Sequence, residues 1–160
     1  MNKENLRHII RESLNLIHEK TSDVKVKKET SEDETRITVY VDGEKAGDMS
    51  MEVMFSPYDW YFSDEFSEEK YDEMFPDDEF IKFSHIEVED KYKGASVAAY
   101  LMELAIKEAK KLGYKEIYLN AFPMGFNGLK LNDLVKFYEH FGFKEILHQG
   151  GNVQMLLSFR

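Results

Sequence analysis

The sequence predicts an α/β (α+β) domain with a mixed, mostly antiparallel central sheet flanked by helices. Three observations predict it. Short runs alternate apolar and polar residues with the period of a strand, and two neighbouring pairs of them are separated by tight-turn residues. Amphipathic stretches with apolar residues three and four apart interrupt those runs. One such stretch, 94–112, joins two strands and is long enough to demand a parallel crossover. Sheet and helices of this kind pack in layers around one core.

The composition sets bounds on what the chain does. At 160 residues it is expected to form one domain, 1–160, and its 42% apolar and 14% aromatic content supports a packed core. With no cysteine, disulfides, thiolate metal sites and a cysteine nucleophile are excluded. A formal net charge of −10 works against nucleic acid as a partner and favours cationic ones. The opening stretch "MNKENLRHIIRESLNLIHEK" mixes charge among its apolar residues. It reads as neither a signal peptide nor a membrane span, so a cytoplasmic location and no membrane partner are expected.

In chain order, Leu6, Ile9, Ile10, Leu14 and Ile17 mark an amphipathic helix over 3–19. Strands follow at 24–29, 35–41 and 45–55, the last two joined by "DGEK", where Asp-Gly signals a hairpin. Ile37, Val39 and Val41 mark one buried face. Residues 56–79 break the pattern with ten carboxylates, one lysine and several aromatics. They are either a solvated loop with a short helix tucked down by its aromatics, or an acidic rim over a cleft that attracts a cation. The strand 80–90 comes next, with Ile81, Phe83 and His85 on one face by parity and Ser84, Ile86 and Val88 on the other. The helix 94–112 stops at Gly113, the strand 115–122 follows, and the helix 131–141 stops at Gly142. A hairpin, "FKEILHQ" and "VQMLLSF" around "GGN", completes the chain, and its last strand is a candidate dimer edge.

Two stretches point to a family. "VEDKYKGASVAAYLMELAIKEAKKLGYKEIYL" and "LVKFYEHFGFKEI" resemble, in order, the strand, pyrophosphate loop, long helix and next strand, then the Tyr-to-Gly-Phe helix end, of the GNAT-type N-acetyltransferases. The resemblance covers 80–159. It implies an acetyl-CoA-binding core at 80–160, after an N-terminal helix and hairpin (1–55) and an acidic aromatic insertion (56–79). It also implies a sheet splayed between the 80–90 and 115–122 strands, with acetyl-CoA as co-substrate.

Laid on the family's loop, Lys93 stands for its cation, Gly94 for a common glycine, and Ser96 and Ala98 for its small positions. Residues Lys93, Gly94, Ala95, Ser96, Val97 and Ala98 would then hold the pyrophosphate at a helix N-terminus, where N–H groups and the dipole favour an anion. The Ser96 hydroxyl also suits a plain helix cap. Main-chain groups of Ile86, Glu87 and Val88 would pair with the pantetheine arm. Asn132 lies one residue from the family's pantetheine asparagine and competes with an N-cap role. Tyr138 matches the tyrosine that protonates the leaving thiolate, and packing between helix and sheet is its alternative role.

His85 and Glu87 are the general-base candidates, sharing one face; a packed or surface histidine is the competing reading. His85, Glu87 and Glu89 form a His-x-Glu-x-Glu set, but with no cysteine and no second histidine nearby no metal is expected. The resemblance implies acetyl transfer to a primary amine by direct attack, the acceptor being a cationic small amine or a protein lysine or N-terminus. The family places two helices between its first two strands, which this chain does not, so the acceptor does not carry over. The alternative is a catalytically degenerate GNAT-like domain, kept as a CoA-binding or protein-interaction module.

Overall fold

The computed structural model describes residues 23–55, 66–93, 97–123 and 129–160. The helix expected over 3–19, the residues 94–96 and most of the irregular stretch after the 115–122 strand lie outside the described residues. Strands β1 (Val24–Thr30), β2 (Glu34–Val41) and β3 (Glu44–Phe55) form an antiparallel meander, with β4 (Glu79–Val88) antiparallel to β3. Helix α1 (Glu68–Met74) joins β3 to β4. Helix α2 (Val97–Lys111) crosses from β4 to β5 (Glu116–Ala121), which runs parallel to β4 as its length required. Helix α3 (Leu131–His140) leads into β6 (Lys144–Gln149) and β7 (Asn152–Ser158). The sheet order is β1-β2-β3-β4-β5-β7-β6.

Local chemistry explains the turns. Asp42 and Gly43 both have positive φ, +49° and +83°, the backbone of a tight hairpin turn that Asp-Gly adopts at little cost. Ile37, Val39 and Val41 are buried, and α2 packs Val97, Leu101, Met102 and Ala105 into the same core. Each fully buried aliphatic side chain there contributes about 2 kcal/mol of transfer free energy. The α2 helix sits so close to β3 because Gly47 has no side chain. A Cβ there would lie 2.7 Å from the Glu87 carbonyl oxygen, 3.1 Å from Val97 Cγ1 and 3.2 Å from Leu101 Cδ1. Gly47→Ala is therefore expected to cost about 2 kcal/mol, because a strand backbone must shift to admit it. Urea unfolding of the variant checks this, and an unchanged midpoint would contradict it.

Packing bears on two further readings. Tyr71, Met74 and Phe75 form a second apolar cluster with Phe80 and Tyr118, on the face opposite Ile81 and Leu119. The Phe75 and Phe80 rings lie 4.2 Å apart, and the Ser67 hydroxyl accepts from Lys70 N to cap α1. The described part of the acidic segment is thus a short helix tucked down by its aromatics; residues 56–65 lie outside the described residues. The hairpin at 144–158 forms as expected, but β7 lies between β5 and β6. Both its edges are hydrogen-bonded, so "VQMLLSF" offers no dimer edge. An apolar strand flanked by turns reads the same in the middle of a sheet as at its border.

Candidate functional site

The β4–β5 pairing stops early. Only Ile81–Phe83 pair with Ile117–Leu119, although β4 runs on to Val88 and β5 to Ala121. From Ser84 to Val88 the β5-facing edge of β4 has no partner strand among the described residues, and the sheet splays. A cavity of about 210 Å³ opens there. It is lined by Phe83, Ser84, His85 and Ile86 from β4, by Leu119, Asn120 and Phe122 around the end of β5, by Met49 and Met102 beneath, and by Tyr138 from α3. The open β4 edge beside Ile86, Glu87 and Val88 leads toward the start of α2.

A bulge corrects the expected parity of β4. Ser50 pairs with His85 but Met51 pairs with Phe83, so Ser84 is an extra residue. Phe83 and Ile86 therefore face with Met51 and Met49, while His85 turns to the side of Ser50. His85 does not share a face with Ile81 and Phe83, as unbroken alternation had placed it. His85 and Glu87 do share one, with His85 Nε2 3.5 Å from Glu87 Oε2. The His85 side chain lines the cavity and is 44% exposed, so of the packed and surface alternatives the packed one does not hold.

The register also places a residue that the sequence reading missed. Asp48 on β3 pairs with Glu87, and its Oδ2 lies 3.7 Å from His85 Nε2. Asp48 is almost wholly buried, with Lys45 Nζ 2.9 Å from its Oδ1. The Asp48 carboxylate holds the Lys45 ammonium above the ordinary lysine value. The signal in the sequence was the polar alternation of Asp48, Ser50 and Glu52 along β3, which reads as a solvent face until β4 is laid beside it. Glu89 is not part of this cluster; Asp48, His85 and Glu87 instead bring one donor atom each within 4.8 Å of one another.

Tyr138 packs and lines the cleft at once. Its ring lies 5.4 Å from that of Phe137 and 6.0 Å from that of Phe143. Only 6% of the residue is exposed, and burial pushes its phenol well above the usual tyrosine value, so it holds its proton at physiological pH. Lys93 ends the short 3₁₀ turn Asp90–Tyr92, its Nζ 2.6 Å from Asp90 Oδ1. Gly94, Ala95 and Ser96 lie outside the described residues. Val97 and Ala98 open α2, both buried, so their side chains serve the core and only their backbone is available to a ligand. Asn132 is exposed in the first turn of α3, whose N-cap is Lys130, so Asn132 is not the cap.

No protein-family model and no curated protein matches the chain. Solved structures do. NAA60 of Arabidopsis thaliana in complex with acetyl-CoA is similar with a TM-score of 0.57 at 14% identity, over 81% of this chain and 78% of that one. The ribosomal-protein-S18-alanine N-acetyltransferase of Escherichia coli gives 0.54 at 15%, over 81% and 71%. The PaiA N-acetyltransferase of Thermoplasma acidophilum, in complex with coenzyme A, gives 0.53 at 16% over 79% of this chain, which spans only 62% of that protein's length. No helix among the described residues is long and apolar enough to cross a membrane. With its splayed β4 and β5, its α2 crossover and these likenesses, the chain has the GNAT N-acetyltransferase fold.

Proposed function

We propose that the chain transfers an acetyl group from acetyl-CoA to a primary amine by direct attack. The observation that carries the reading is the cleft at the splay, into which Tyr138 and His85 both face. Two features fit acetyl-CoA: the unpaired edge of β4 at Ile86–Val88, suited to a linear amide-bearing arm, and the N-terminal end of α2 after Lys93, suited to a pyrophosphate. Lys93 is the cation of that loop, and its pairing to Asp90 is an exposed contact that a phosphate can outcompete.

Bound acetyl-CoA supplies the thioester. His85, with Glu87 beside it, takes a proton from the acceptor's ammonium; an imidazole is the usual side chain for that task near neutral pH. The freed amine forms the new C–N bond as the C–S bond breaks, and the second proton that the nitrogen must shed to become a neutral amide passes to solvent. The buried Tyr138 phenol gives its proton to the departing sulfur and regains one from solvent. Net charge −10 and the acidic run at 56–79 favour a cationic acceptor, a small amine or a protein lysine or N-terminus. The Escherichia coli neighbour is named for acetylating a protein alanine, which supports the protein option without selecting it.

The test is thiol release from acetyl-CoA with a panel of primary amines, with the acetylated product identified by mass. Amine-dependent release supports the proposal. Acetyl-CoA binding with no release to any amine would favour the rival, a CoA-binding or protein-interaction module.

A further inference from the structure

The Asp48 cluster has features that the acetyl-transfer reading does not use. Asp48 is 2% exposed, and a carboxylate removed from water needs a cation close by. Lys45 supplies one at 2.9 Å from Oδ1, and the same ammonium lies 3.9 Å from Glu89 Oε1. The Arg36 guanidinium stands off at 4.0 Å from Oδ2. Two residues along the same face, Ser50 Oγ is buried with no hydrogen-bond partner among the described residues, directly across from His85. The cluster therefore holds a buried hydroxyl, that of Ser50, which its present occupant leaves unsatisfied.

We propose that Asp48, Glu87 and Ser50 form a subsite for a primary ammonium group beside His85, and that Lys45 fills it until the ammonium of an acceptor displaces it. The chemistry matches in number: an alkylammonium has three N–H donors, and these residues present two carboxylates and a hydroxyl. Lys45 shows the class of ligand, being itself a primary alkylammonium on a flexible four-carbon stem, 42% exposed, with the half-exposed Glu89 carboxylate 3.9 Å away as an alternative partner. A divalent metal fits less well, because Lys45 and Arg36 already face Asp48 with positive charge. With His85 facing both the cluster and the cleft, an ammonium held there sits next to the group proposed to deprotonate it. The role in acceptor choice rests on the acetyl-transfer reading; the binding itself does not.

The probe is n-butylammonium chloride, titrated into full-length protein while the backbone amides of Ser50 and His85 are followed by NMR. Lys45→Met, which removes the internal competitor, is expected to tighten binding roughly fivefold, the worth of a half-exposed lysine–carboxylate pair. Asp48→Asn is expected to abolish the saturable shifts. Tetramethylammonium, which has no N–H, is expected not to bind. Equal affinity in the wild type and Lys45→Met would overturn the subsite, and that comparison decides the matter even where Asp48→Asn fails to fold. Saturable binding that survives in a folded Asp48→Asn would overturn it as well. Butylammonium binding as predicted, without thiol release to any amine, would sink the enzyme reading and leave the subsite standing.

Discussion

Replacing Tyr138 by phenylalanine is expected to lower kcat about 100-fold while leaving acetyl-CoA affinity unchanged, the usual worth of a positioned proton donor. The separation follows from geometry. Phenylalanine keeps the ring contacts to Phe137 and Phe143, so α3 keeps its seat on the sheet. What is lost is the phenolic proton, which burial among these rings holds in place. A CoA thiolate leaving into the cleft then departs without the proton and the hydrogen bond that the phenol would give it. Steady-state kinetics with a saturating amine, beside calorimetry of acetyl-CoA, make the comparison. Unchanged kcat would reduce Tyr138 to a packing residue.

His85→Ala is expected to lower kcat/KM by roughly 100-fold, with partial recovery on adding free imidazole. His85 is half exposed and linked only to Asp48 and Glu87 among its described ion partners, so its loss leaves a pocket that small imidazole can enter. Glu87→Gln is expected to cost less, since Glu87 acts through the imidazole. The recovery separates a base from a structural side chain, because added imidazole restores proton transfer but not packing. Full activity in His85→Ala would hand the proton to water or to another group, and the histidine would be a surface residue.

The fold was largely legible because its signals are local. The strand periods, the Asp42-Gly43 turn and the long helix before Gly113 each follow from neighbouring residues, and the observed elements lie within a few residues of where the patterns place them. The crossover length alone required β5 to run parallel to β4. What was not legible depends on residues far apart in sequence. The bulge at Ser84 arises from the register of β4 on β3, and it moved His85 to the other face. Asp48 joins His85 and Glu87 only through cross-strand pairing over more than thirty residues, so no motif in either strand announces it. The position of β7 inside the sheet is likewise a matter of pairing, since its apolar pattern would suit an edge equally well. Tyr138 lay between these cases: its helix and its Gly142 stop were local, but its place in the cleft needed the splay.

The central claim is that the splayed edge and the start of α2 hold acetyl-CoA. Calorimetry of acetyl-CoA with the wild-type protein and with Ser96→Glu tests it most directly, because a carboxylate added just before α2 repels the phosphates. The account predicts wild-type binding on the order of micromolar to tens of micromolar, lost or greatly weakened in the variant. No heat of binding from the wild type at millimolar acetyl-CoA, or equal binding by both proteins, would contradict it.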